Sequence, residues 1–60
     1  MDGAQLAAKR KAVKLSQQAV AERAKCSLAM VSLLERGYRP EASEVADRIA
    51  RVLHDAAEAA

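Results

Sequence analysis

Apolar residues recur along this chain at intervals of three and four, the spacing that lines one side of an α-helix. Leu6 and Val13 fall on one line with Arg10 beside it, predicting a first helix from about Gly3 to Val13. Asp2 is placed to cap that helix, and Gln5, three residues on, can reach back as in a capping box. Val20, Ala21 and Ala24 share a face opposite Gln18 and Glu22, predicting a second helix over Gln17 to Ala24. Small Ala21 lets a neighbouring helix come close. A third helix, Leu28 to Arg36, points Val31 and Leu34 inward with Glu35 at the edge of that stripe, and turns Ala29, Ser32, Leu33 and Arg36 outward. The last runs from about Ala42 or Ser43 to about Glu58. Its inward stripe is Val45, Ala46, Ile49, Val52, Leu53, Ala56 and Ala60, while Glu44 with Arg48 and Asp47 with Arg51 form i,i+4 pairs on the wet side.

Between these helices lie residues suited to ending them. The hydroxyls of Ser16 and Ser27 can accept from backbone N–H groups that the opening turns of the second and third helices leave unpaired. Gly37 can take the left-handed conformation that closes the third helix, and Tyr38, Arg39 and Pro40 then form a loop. Only about three residues join the second and third helices, the spacing of a helix-turn-helix, in which one helix is held firm and the next is offered outward. Arg10 and Glu35 occupy edge positions on two helices. A half-buried charge is tolerated when paired and hydrogen-bonded, so an Arg10–Glu35 ion pair is expected.

A chain of 60 residues makes one domain with a small core. With one Tyr and no Phe or Trp, that core is built from Leu, Val, Ile, Ala and Met, and the abundance of Ala favours an all-α fold. Net charge is a modest +2, but it is unevenly spread. From Lys9 to Arg39 there are eight basic residues against two acidic ones, and from Pro40 onward acidic residues prevail. That asymmetry suits a polyanion on one side of the molecule, or else a solvated surface of mixed charge. Cys26 is the only cysteine, so neither an intrachain disulfide nor a Cys-based zinc site is expected, and a reducing cytosol fits. No apolar run has the length of a membrane span, and the N-terminus lacks the apolar core of a secretory signal.

The residues Leu15, Ser16, Gln17, Ala21, Glu22, Ala24, Ser27, Val31, Leu34, Glu35, Arg36 and Gly37, continued by Pro40 and the run Ile49 to Leu53, resemble the Cro/C1-type helix-turn-helix family of phage and bacterial regulators. The resemblance covers roughly residues 4 to 53. It implies a compact, lambda-repressor-like domain of four or five helices whose third helix lies in the major groove of double-stranded DNA. It further implies a homodimer that spans a palindromic operator, in the bacterial cytosol or nucleoid. Carried over position by position, Ser27, Leu28, Ala29, Ser32 and Leu33 would read base edges. Gln17, Gln18, Lys25, Arg36, Tyr38 and Arg39 would meet the DNA backbone, Gln17 through its side chain or its N–H, and Arg10 with Glu35 matches an ion pair found in many members.

Two departures from the family pattern matter. Where the family usually has glycine in the turn, this chain has Lys25, which must accept a left-handed or similarly strained backbone or alter the turn. Cys26 stands where a small apolar residue is usual and is expected to be a structural thiol. The third helix is itself unusual, because Leu28, Ala29 and Leu33 cannot hydrogen-bond to bases through their side chains. They could pack on thymine methyl groups while Ser27 and Ser32 make the polar contacts, leaving much of the discrimination to DNA shape. Alternatively this apolar surface meets a protein, and the domain is an adaptor or antitoxin-like module on the same fold.

The far part of the last helix, Val52, Leu53, Ala56, Ala57 and Ala60, exceeds what three short helices can cover. It is read as a contact for a second chain, with a frayed end as the other possibility. His54 beside Asp55 has no nucleophile, metal cluster or phosphate loop around it, so no enzyme is expected. No cofactor, metal or small-molecule ligand is expected either.

Overall fold

The computed structural model describes residues 2–38 and 44–59, and within them the chain forms four helices and no strand. Helix α1 spans Gly3–Ala12, α2 Gln17–Ala24, α3 Leu28–Glu35 and α4 Glu44–Ala59. Arg39, Ala60 and the expected start of the last helix at Ala42 or Ser43 lie outside the described residues.

Each of the first three helices opens on a side-chain cap. Asp2 Oδ1 accepts from the Gln5 N–H at 2.8 Å while Gln5 Oε1 accepts from the Asp2 N–H at 2.9 Å, completing the capping box. Ser16 Oγ accepts from the Ala19 N–H at 3.0 Å, and Ser27 Oγ from the Met30 N–H at 3.1 Å. These bonds satisfy donors that no intrahelical carbonyl can reach.

The three helices also end alike. Lys14, Lys25 and Gly37 all take positive φ, at 59°, 58° and 106°. At each end one N–H bonds back three residues and the next bonds back five, the paired closure of a Schellman motif. The bonds are Lys14 to Lys11 and Leu15 to Arg10, Lys25 to Glu22 and Cys26 to Ala21, and Gly37 to Leu34 and Tyr38 to Leu33. This closure corrects two expected boundaries. Val13 and Arg36, read as the last helical residues of α1 and α3, are instead the residues on which those helices close, because the left-handed residue that follows reverses the chain.

The core is formed by Leu6, Val20, Ala21, Ala24, Val31, Leu34, Ile49 and Leu53, with Val13, Leu15, Cys26, Met30, Val45, Ala46 and Val52 packed around it. Small Ala21 and Ala24 on α2 bring the neighbouring helices in. The N-terminus of α1 approaches the end of α3 just as closely. A Cβ on buried Gly3 would lie 2.5 Å from both the Leu34 and the Glu35 carbonyl oxygens, so only glycine fits between the two backbones. Arg48 ties α4 to α2 by donating its Nε–H to the Ala24 carbonyl at 2.9 Å. Its guanidinium also lies 3.8 Å from Glu44, and it is therefore more than the surface i,i+4 partner that its spacing suggests.

Leu53 requires a correction. Expected both in the inward stripe and at a contact with a second chain, it is only 2% exposed and belongs to the core of its own chain, so the inward reading holds and the contact reading does not. The inward stripe of α4 reaches farther under α1 and α2 than helix lengths alone imply. Val52 and Ala56 are half-buried, and Ala57 is exposed.

Candidate nucleic-acid interface

A half-buried polar network ties the end of α3 to the two preceding helices. Arg10 Nε donates to Glu35 Oε2 at 2.6 Å and Arg10 Nη2 to Glu35 Oε1 at 3.2 Å, a two-pronged pairing of guanidinium and carboxylate. Gln17 Nε2 donates to Glu35 Oε1 at 3.0 Å, and Arg10 Nη1 to the Leu15 carbonyl at 2.9 Å. One carboxylate on α3 thus receives bonds from α1 and α2, and one guanidinium also secures the turn between them. The Arg10 and Glu35 side chains retain only 13% and 9% exposure. Burial by itself would raise the carboxyl pKa of Glu35, but the hydrogen bonds from Arg10 and Gln17 and the charges of Arg10 and Lys11 outweigh it and hold the group below its ordinary value. Glu35 is therefore a half-buried anion at neutral pH. No buried side-chain nitrogen or oxygen among the described residues lacks a partner.

Away from the buried stripe of Val31 and Leu34, α3 presents the face singled out for base reading. Ser27, Leu28, Ala29 and Leu33 are exposed and Ser32 is half-buried; Leu28 at 46% and Leu33 at 39% are two of the large apolar side chains left open to solvent. Ser27 is doubly placed, since its Oγ already accepts from the Met30 N–H within its own helix. Arg36 and Tyr38 stand exposed just beyond the helix, and Arg36 Nε lies 3.4 Å from the Ser32 carbonyl. Gln18 and Lys25 are exposed at the two ends of α2.

The Gln17 side-chain amide is half-buried and bonded to Glu35, and of the two routes expected for its phosphate contact, side chain or backbone N–H, the backbone N–H leaves that bond undisturbed. Lys25 takes the left-handed conformation outright, with φ 58° and ψ 48°, and the turn keeps its form. Cys26 is half-buried against the core, and that burial pushes its thiol pKa up despite the nearby positive charge of Arg48. A thiol that resists ionisation is a poor nucleophile. Among the described residues, no grouping of His, Cys, Asp and Glu is arranged to hold a metal ion.

Three residues escaped the reading of the sequence. Gly3 and Arg48 act through contacts with segments distant in the chain, which no local pattern announces. Lys14 had a signal of its own. Only residues 13–16 separate α1 from α2, and a link that short reverses direction most readily through a left-handed residue.

Two short helices joined by residues 25–27, the second anchored by a half-buried ion pair, define a helix-turn-helix domain. A helix-turn-helix family model matches residues 6–54, most of the chain, and the protein belongs to the Cro/C1-type helix-turn-helix family. The fold is thus that of DNA-binding transcription regulators, a family typically without enzymatic activity. No curated protein and no solved structure matches the chain. Among the described residues, no helix is long and apolar enough to cross a membrane.

Proposed function

We propose that this chain is a small Cro-like or repressor protein that recognises double-stranded DNA by laying α3 in the major groove and regulates transcription by occupying its operator. One observation carries the reading: the Arg10–Glu35–Gln17 network fixes the inner side of α3 to both preceding helices while leaving Leu28, Ala29 and Leu33 outward. A helix so held can enter a groove without first being ordered, which spares affinity the cost of ordering. Leu28, Ala29 and Leu33 pack on thymine methyl groups, and Ser27 and Ser32 supply the polar contacts to base edges. Gln17, Gln18, Lys25, Arg36, Tyr38 and Arg39 set the register on the backbone. Two copies act together on a palindromic site in the bacterial cytosol. Val52, Ala56 and Ala57 on the far part of α4 supply the apolar contact between copies, Ala57 from the groove that Ala12, Val13 and Ala50 line between α1 and α4 and Val52 from the side facing α2.

The test is a footprint on DNA flanking the protein's own gene, followed by titration of the protected duplex at several salt concentrations. Each phosphate contact is expected to contribute about −0.9 to the slope of log affinity against log salt. Arg36→Ala should weaken binding to all sequences alike, whereas Leu28→Ala should change which sequence is preferred. Affinity independent of salt would refute the reading.

The exposure of Leu28 and Leu33 also supports a second reading, in which α3 meets a protein partner. Leu33→Ala separates the two. Loss of a protein complex with DNA binding intact favours the adaptor, and altered DNA preference favours the regulator.

A further inference from the structure

Lys14 and Lys25 share a conformation that lysine rarely adopts. Both hold φ near +60°, where the Cβ of an L-residue crowds the backbone and glycine does not. At the third equivalent helix end this chain uses glycine, at Gly37. Lys14 and Lys25 are exposed, and neither has an ion pair with a described residue, so no carboxylate among those residues accounts for a lysine at either place. Lys25 directly follows α2, and Lys14, which closes α1, precedes it with Leu15 and the cap Ser16 between, so the two lysines flank a helix about 12 Å long at roughly 1.5 Å per residue. In a helix-turn-helix the first helix of the motif crosses the DNA backbone.

From this, and resting on the reading above, we propose that Lys14 contacts a DNA phosphate, so that Lys14 and Lys25 grip the backbone from opposite ends of α2 and their strained conformation is retained for the charge it places there. Backbone strain that the surrounding structure maintains, where an unstrained residue would serve the fold, is characteristic of functional positions. A competing explanation is that each lysine merely complements the negative end of the helix it follows. The two explanations predict opposite behaviour when lysine is exchanged for glycine.

The test compares Lys14→Gly and Lys14→Arg with the wild type, by thermal melting and by titration of the footprinted duplex across a series of salt concentrations. Lys14→Gly keeps the left-handed turn and removes the charge. It is expected to melt no lower than the wild type, to bind several-fold more weakly at low salt, and to show a salt slope shallower by about 0.9. Lys14→Arg keeps the charge and should retain both affinity and slope. A Lys14→Gly protein that binds with wild-type affinity and slope would overturn the inference while leaving the DNA-binding reading intact. One that melts clearly lower would assign the lysine to the fold, and loss of binding in Lys14→Arg would show that charge is not what matters; either result overturns the inference. If the wild type binds no duplex in a salt-dependent way, the functional reading fails and the inference with it.

Discussion

Replacing Gly3 by alanine sets two well-characterised effects against each other. Helix propensity favours alanine over glycine by about 1 kcal/mol in a helix interior, an upper bound at Gly3, the first residue of α1, so local reasoning predicts that Gly3→Ala stabilises α1. The tertiary structure predicts the reverse. The added Cβ would lie 2.5 Å from the Leu34 and Glu35 carbonyl oxygens and 2.8 Å from the Glu35 carbonyl carbon, inside the 3.0 Å limit that real contacts respect. All three atoms are backbone, so no side chain can swing aside and α1 must shift bodily from the end of α3. Forcing an extra methyl into a filled site costs about 1–3 kcal/mol, and contact with rigid carbonyls places this case towards the upper end. After the propensity gain, a net loss of about 2 kcal/mol remains, which in a domain this small lowers Tm by roughly 8–16 °C. Thermal melting followed by circular dichroism measures it directly, with Ala4→Gly on the exposed side of the same turn as the propensity control. A Gly3→Ala protein that melts at or above the wild-type temperature would refute the close packing of α1 on α3. The same shift would disturb Glu35, so DNA affinity should fall alongside stability.

Two further predictions concern the Arg10–Glu35–Gln17 network. Arg10→Ala leaves the half-buried Glu35 carboxylate with Gln17 as its remaining partner and frees the Leu15 carbonyl; a loss of about 1–3 kcal/mol is expected, a sizeable share of the stability of a domain this size, and chemical denaturation should show a lower midpoint at unchanged slope. Because the Glu35 carboxyl is held below its ordinary value of 4.5 in the folded protein, the stability it contributes is complete above that value and is lost as pH falls through the lower, folded value. Melting temperature measured from neutral to acidic pH should therefore drop below about pH 4.5, and Glu35→Gln should flatten that part of the profile; an unchanged profile in the variant would show that other carboxylates govern acid unfolding.

Sequence and tertiary structure contributed different kinds of knowledge, separated by distance along the chain. Caps were legible because the partners are close: Asp2 with Gln5, Ser16 with Ala19 and Ser27 with Met30 each lie three residues apart, within one helical turn. Helical periodicity was equally legible, so the inward positions of Val20, Ala21, Ala24, Val31 and Leu34 could be read from the order of residues, and an edge cation and an edge anion identified Arg10 and Glu35 as partners. What could not be read was how the helices dock once formed. Gln17 turns its amide to a carboxylate eighteen positions on, and Arg48 reaches a carbonyl twenty-four positions back. Gly3 fits against a backbone that no local pattern brings near it. Local hydrogen bonding and periodicity depend on the identity and spacing of a few residues, whereas these contacts depend on where whole helices come to rest. That arrangement is set by the packing of the entire core at once, and so it is decided only in three dimensions.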